Sequence, residues 1–187
     1  MSLKQLVNNP FIRFILFASL LCVLWYALYL GYINPETNLD RFVIDSLISI
    51  TRTILSFLGY DLIPVPAAAA QIRTVGIDGT LGLWIGDPCN GLNLFALFSI
   101  FIACYPGKWK NKLWFIPLGI LSIHLINVIR IVALCIIVSI DYAYLDFQHD
   151  YTFTVIVYGF MFLLWIWWAN RFSGMNRKEI NKTAFDK

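Results

Sequence analysis

A thiol at Cys89, a guanidinium at Arg130 and an imidazole at His149 are the side chains of this sequence best suited to covalent chemistry. A thiolate attacks a carbonyl, a guanidinium steadies the oxyanion that develops, and an imidazole carries the proton to the leaving amine. Cys89 lies in Gly86-Asp87-Pro88-Cys89-Asn90-Gly91-Leu92, directly ahead of an apolar run. At a helix start a thiol meets unpaired N–H groups and the positive end of the dipole, which both favour the thiolate. The Pro and Asn-Gly flanks predict a bent turn presenting the side chain.

Arg130 closes His124-Leu125-Ile126-Asn127-Val128-Ile129-Arg130 within a long apolar run. An arginine inside a membrane segment costs on the order of 3 kcal/mol and usually marks a functional or paired position. Counted from Leu113 at 1.5 Å per residue, Arg130 lies about 27 Å along the helix, near the far boundary of the bilayer and level with Cys89. His149 falls in Asp146-Phe147-Gln148-His149-Asp150, just before the last apolar run, and is the expected acid and base. Asn90 and Asn127 are the expected substrate contacts. His124 ranks second as a base, because it lies about 9 Å deeper than Arg130 and about 120° round the helix, a position suited to hydrogen bonding with Asn127. Each residue has a plainer reading beside these: a packing cysteine, a snorkelling arginine and an exposed loop histidine.

The elements that must position them belong to a membrane protein. Of 187 residues, 59% are hydrophobic and only 13% charged, and the mean hydropathy is +0.71, outside the range of soluble domains. We expect an all-α integral membrane fold of one domain with about four crossings: residues 11–33, 91–106, 113–140 and 151–170. Residues 34–88 form an extracytoplasmic loop and 171–187 a cytoplasmic tail. The first run is nearly twenty residues long, lacks a small-x-small site at its end, and reads as a retained anchor. Tryptophans near the last crossing and the lysine loop read as interfacial anchors.

Within the loop, Asp45, Ser49, Arg52 and Ser56 make one polar stripe on residues 41–58, the pattern of an amphipathic helix on the surface or against the bundle. If that helix does not cross, ten of the fourteen Lys and Arg residues share one side, which is then cytoplasmic for both termini. The segments Ile72 to Val75 and Thr80 to Ile85, joined around Asp78-Gly79, predict a small β-hairpin cap. The net charge of +3 sits at connections and termini, so it argues for membrane orientation and against nucleic acid. The four cysteines show no CxxC or His/Cys ligand spacing, and no metal, cofactor or disulfide framework is expected.

Cys89-Asn90-Gly91 opening a span, Asn127-Val128-Ile129-Arg130 in the next and His149 ahead of the last resemble the exosortase and archaeosortase family of multi-span membrane proteins. The resemblance covers Gly82 to Phe172. It implies a thiol protease or transpeptidase of the plasma (inner) membrane, with its site on the extracytoplasmic side. Its substrates would be exported proteins bearing a C-terminal motif, a transmembrane helix and a basic cluster. Cys89 would form the thioacyl intermediate, His149 would shuttle the proton and Arg130 would bind or polarise the carbonyl, the acyl group passing to water or to a lipid or glycan acceptor. The chain departs from the family in its short length and in Asn90 where Ser is common. Two other classes fit the same residues: a non-enzymatic scaffold of an export system, and a polytopic acyl or lipid transferase.

Overall fold

The computed structural model describes residues 10–65, 72–145 and 152–172. Five helices of ten or more residues and one small sheet account for most of them. Helix α1, Pro10–Leu28, is Leu- and Phe-rich and carries a single charge, Arg13. It continues through a wider π-helical turn, Tyr29–Ile33, into Asn34–Glu36. Thr37 then turns extended (φ −116°, ψ 157°) and ends the rod. Helix α2, Leu39–Phe57, is amphipathic. Its buried positions, Asp40, Val43, Ile44, Leu47, Ile48, Thr51 and Leu55, recur every three or four residues as one face. Asp45, Ser49 and Ser56 are exposed, and Arg52 donates from Nη1 to the carbonyl of Ile63 at 3.0 Å. The apolar face packs on α4, so the helix belongs to the bundle.

Strands β1, Thr74–Val75, and β2, Leu83–Trp84, pair antiparallel as Thr74↔Trp84 and Val75↔Leu83. The turn runs through Asp78-Gly79, and Gly79 takes the positive φ (79°) that a side chain resists. On the other side of β1, Leu62 bridges to Ile77. The ladder is shorter than the two expected segments, because only four residues keep the pairing.

Helix α3, Leu92–Cys104, follows, then α4, Trp109–Ile140, and α5, Phe153–Arg171. Among the described residues, three helices are long and apolar enough to cross a membrane: Phe11–Glu36, Trp109–Ile140 and Phe153–Arg171. The fourth expected crossing is shorter. Helix α3 has 13 residues, about 20 Å at 1.5 Å per residue, against a hydrocarbon core of about 30 Å. Gly91 in a left-handed conformation bounds one end; at the other, Pro106 forces Tyr105 to extended backbone (ψ 145°). Helix α3 is nonetheless central, touching α1, α4 and α5.

Close ring packing fixes those neighbours. Phe101 stacks on Trp165 at 4.2 Å between centroids and meets Phe14 edge-on at 5.2 Å. Phe98 lies against Phe115 and covers Gly119, where any side chain would overlap its ring. Trp168, expected at the interface, is instead fully buried between Phe115 and Phe172. A ring that large enters the bundle because two aromatic partners close on it. At 32 residues α4 outruns α3, and its last turns carry the cap: the Cys135 thiol points at the carbonyl of Val75, 3.8 Å away.

Candidate active site

Cys89 ends a 3-10 turn, Asp87–Cys89, between β2 and α3. Its N–H donates to the carbonyl of Gly86 at 3.0 Å, and the Asn90 N–H donates to that of Asp87 at 3.3 Å. Gly91 follows at φ 88°, a conformation that reverses the chain into α3. An added Cβ there would press to 3.2 Å from Asn127 Nδ2. Asn127 projects from α4 and donates from Nδ2 to the Cys89 carbonyl at 3.2 Å. The main chain of the thiol residue is thereby held at both its N–H and its C=O.

Asn127, Arg130, Ile131 and Leu134 stand at i, i+3, i+4 and i+7, one face of α4. That face meets the hairpin and the turn. Cys89 and Arg130 line a common pocket with Ile131 and Leu134 from α4 and Leu83 to Ile85 from the hairpin. Both are half-buried. The pocket holds about 40 Å³, room for a few waters at about 10–15 Å³ each but not for a peptide. On its open side Trp84 is 69% exposed.

Beneath the turn lies a polar network that no sequence pattern had suggested. Asp40, 4% exposed on the apolar face of α2, accepts from Tyr29 Oη at 2.8 Å, Asn90 Nδ2 at 2.5 Å and Asn34 Nδ2 at 3.4 Å. Asn90 Oδ1 in turn accepts from the N–H of Leu92 at 2.8 Å. The first amide of α3 is therefore taken by Asn90, and the expected row of open helix-end donors beside Cys89 is partly closed. Asp87 accepts from Arg73 Nη1 at 2.7 Å, and the Arg73 guanidinium lies 5.8 Å from the Trp84 ring centre. One carboxylate thus ties α1 and α2 to the turn, and another ties the turn to the hairpin.

Asn90 and Asn127, expected to touch substrate, are each 1% exposed and spend their amides on Asp40, Leu92 and Cys89. Their burial favours positioning over substrate contact. His124, expected to bond Asn127, lies instead with Nε2 3.1 Å from Ser46 Oγ and its ring against Phe95. It joins α2 to α4 and does not line the Cys89 pocket. His149, with Asp146 and Asp150, lies outside the described residues.

Asp40 and Trp84 are the residues sequence reasoning missed. A carboxylate on the apolar stripe of an amphipathic helix was the available signal for Asp40, since a charge is rarely fully buried without partners. Among the described residues, no group of three or more His, Cys, Asp or Glu side chains is placed to hold a metal ion.

A family model described as transmembrane exosortase matches residues 6–168, a stretch that includes Cys89, Asn127, Arg130 and the position of His149. No curated protein and no solved structure matches the chain.

Proposed function

The chain belongs to the transmembrane exosortase family, and from that premise we propose that it is a membrane-embedded cysteine protease or transpeptidase acting on exported proteins at the extracytoplasmic face. The observation that carries this reading is the pocket shared by Cys89 and Arg130, two residues far apart in sequence. In the proposed reaction the Cys89 sulfur bonds to the carbonyl carbon of the scissile peptide. Charge moves onto the carbonyl oxygen, which the Arg130 guanidinium faces with its planar fork of donors. Collapse of the tetrahedral adduct breaks the C–N bond, and the leaving amine departs with a proton. Water or an acceptor amine then attacks the thioester and frees the thiol.

His149 is the proposed carrier of that proton, on the family resemblance and on reach. It follows Leu145 by four positions, a span of at most about 14 Å. Tyr142 and Leu145 border an open cavity that shares Leu83 and Trp84 with the Cys89 pocket, so the chain leading to His149 departs from the rim of the site. The orientation rests on charge: with N- and C-termini on the lysine-rich side, α2, the hairpin and Cys89 face away from the cytoplasm. A substrate helix would pack laterally against the spans, leaving the small polar site to cut the segment that emerges.

Replacement of Cys89 by Ala and by Ser tests the assignment. Exported proteins that end in a motif, an apolar helix and a basic cluster should keep their C-terminal segment in both variants. Normal removal of that segment by Cys89→Ala would overturn it.

A further inference from the structure

We propose that the outer edge of β2 receives the substrate as an added strand, which lays its scissile bond over Cys89. This rests on the cysteine-protease reading and specifies how the peptide is held. In an antiparallel pair, bonded and non-bonded positions alternate. Thr74 pairs with Trp84 and Val75 with Leu83, while the Ile85 N–H donates to the Arg73 carbonyl at 2.8 Å. Positions 83 and 85 therefore face β1, and the N–H and C=O of Trp84 point outward. Among the described residues no main-chain group pairs with them. The opposite side of β1 is covered, since the Ile63 N–H donates to Gly76 and the Asp78 N–H to Asp61.

Three further features fit a peptide. An open cavity of about 430 Å³ borders this strand, lined by Leu81, Gly82, Leu83 and Trp84 with the paired Thr74 of β1, and by Tyr142 and Leu145. That is within the roughly 300–1,000 Å³ of sites that hold sizeable ligands. The cavity thus reaches from the face that Thr74 and Trp84 share to the β2 side of the hairpin. Leu83 and Trp84 also border the Cys89 pocket, so a strand on this edge continues directly toward the thiol. Finally, Leu81-Gly82-Leu83-Trp84-Ile85-Gly86 carries no charge and no proline, the devices that usually blunt an open edge. Main-chain pairing would supply affinity independent of sequence, and side chains at alternate positions would supply choice.

The test uses the full chain in phosphatidylcholine–phosphatidylglycerol vesicles and three thiol-directed probes: tetra-alanyl chloromethyl ketone, its backbone N-methylated form and alanyl chloromethyl ketone. In each, the Cys89 thiolate forms a sulfur–carbon bond and displaces chloride. The tetra-alanyl probe should alkylate Cys89 about tenfold faster than either of the others, the worth of one or two net hydrogen bonds. Trp84→Pro, which removes the outward N–H without breaking a sheet bond, should erase that advantage, and Trp84→Ala should keep it. Should Trp84→Pro not fold, the probe comparison on the unsubstituted chain decides. Equal rates for all three probes, as expected if lipid covers the edge, would overturn strand addition and leave the thiol assignment standing. Failure of every probe to modify Cys89 would overturn the cysteine-protease reading, and this inference with it.

Discussion

Asn127 donates from Nδ2 to the main-chain carbonyl of Cys89 across 3.2 Å, and three residues later on the same helical face Arg130 lines the pocket that Cys89 lines. Helix α4 thus fixes the thiol residue and supplies its cationic neighbour from adjacent turns.

Substitution of Asn127 tests that relationship. Asn127→Ala should slow alkylation of Cys89 by the tetra-alanyl probe several-fold and leave its reaction with iodoacetamide little changed, since orientation and not chemistry is lost. Asn127→Asp should be worse, because a carboxylate would face a carbonyl oxygen. The cost of an unsatisfied buried acceptor is about 1–3 kcal/mol. Equal behaviour of both variants and the wild type in both assays would remove Asn127 from the positioning machinery.

Arg130 should be intolerant even of lysine. A point charge replaces the planar fork, so Arg130→Lys should retain a minor fraction of substrate processing, and Arg130→Gln should lose about 10² to 10³ in rate, as removal of one oxyanion donor does elsewhere. A competent Arg130→Gln variant would return Arg130 to the role of interfacial anchor.

Asp40 should matter for stability as much as for activity. Asp40→Ala strands the Tyr29 hydroxyl and the Asn90 amide in a buried site, and should destabilise the chain by about 1–3 kcal/mol per lost partner. Asp40→Asn should be milder, because one oxygen still accepts. Thermal unfolding in detergent reads the order, expected as wild type above Asn above Ala.

Gly119 reports on the α3–α4 contact. A methyl group there overlaps the Phe98 ring, so Gly119→Ala should lower the unfolding temperature, and Gly119→Leu should prevent folding. Phe98→Ala combined with Gly119→Ala should recover part of the loss, whereas additive losses would mean the two residues do not share that space.

Much of this fold was legible because the signals are local. The stripe of Asp45, Ser49, Arg52 and Ser56 marked α2, and Asp78-Gly79 marked the hairpin turn. The expected bounds of 91–106 overran α3 by a residue or two at each end, because Gly91 and Pro106 flank the helix without joining it. The buried network was hidden for a different reason. Tyr29, Asp40 and Asn90 are polar residues on three separate elements, and nothing in their spacing shows that they converge. Trp168 misled in the same way: a tryptophan near a span end is an anchor in composition, and only Phe115 and Phe172 make it core.

The central claim, a thiol beside a guanidinium on the outer face, is tested most directly by mass mapping after intact cells meet a membrane-impermeant maleimide. Cys89 should be modified, while Cys22, Cys104 and Cys135 stay protected until the membrane is dissolved. Labelling of Cys89 only from the cytoplasmic side would contradict both the orientation and the chemistry built on it.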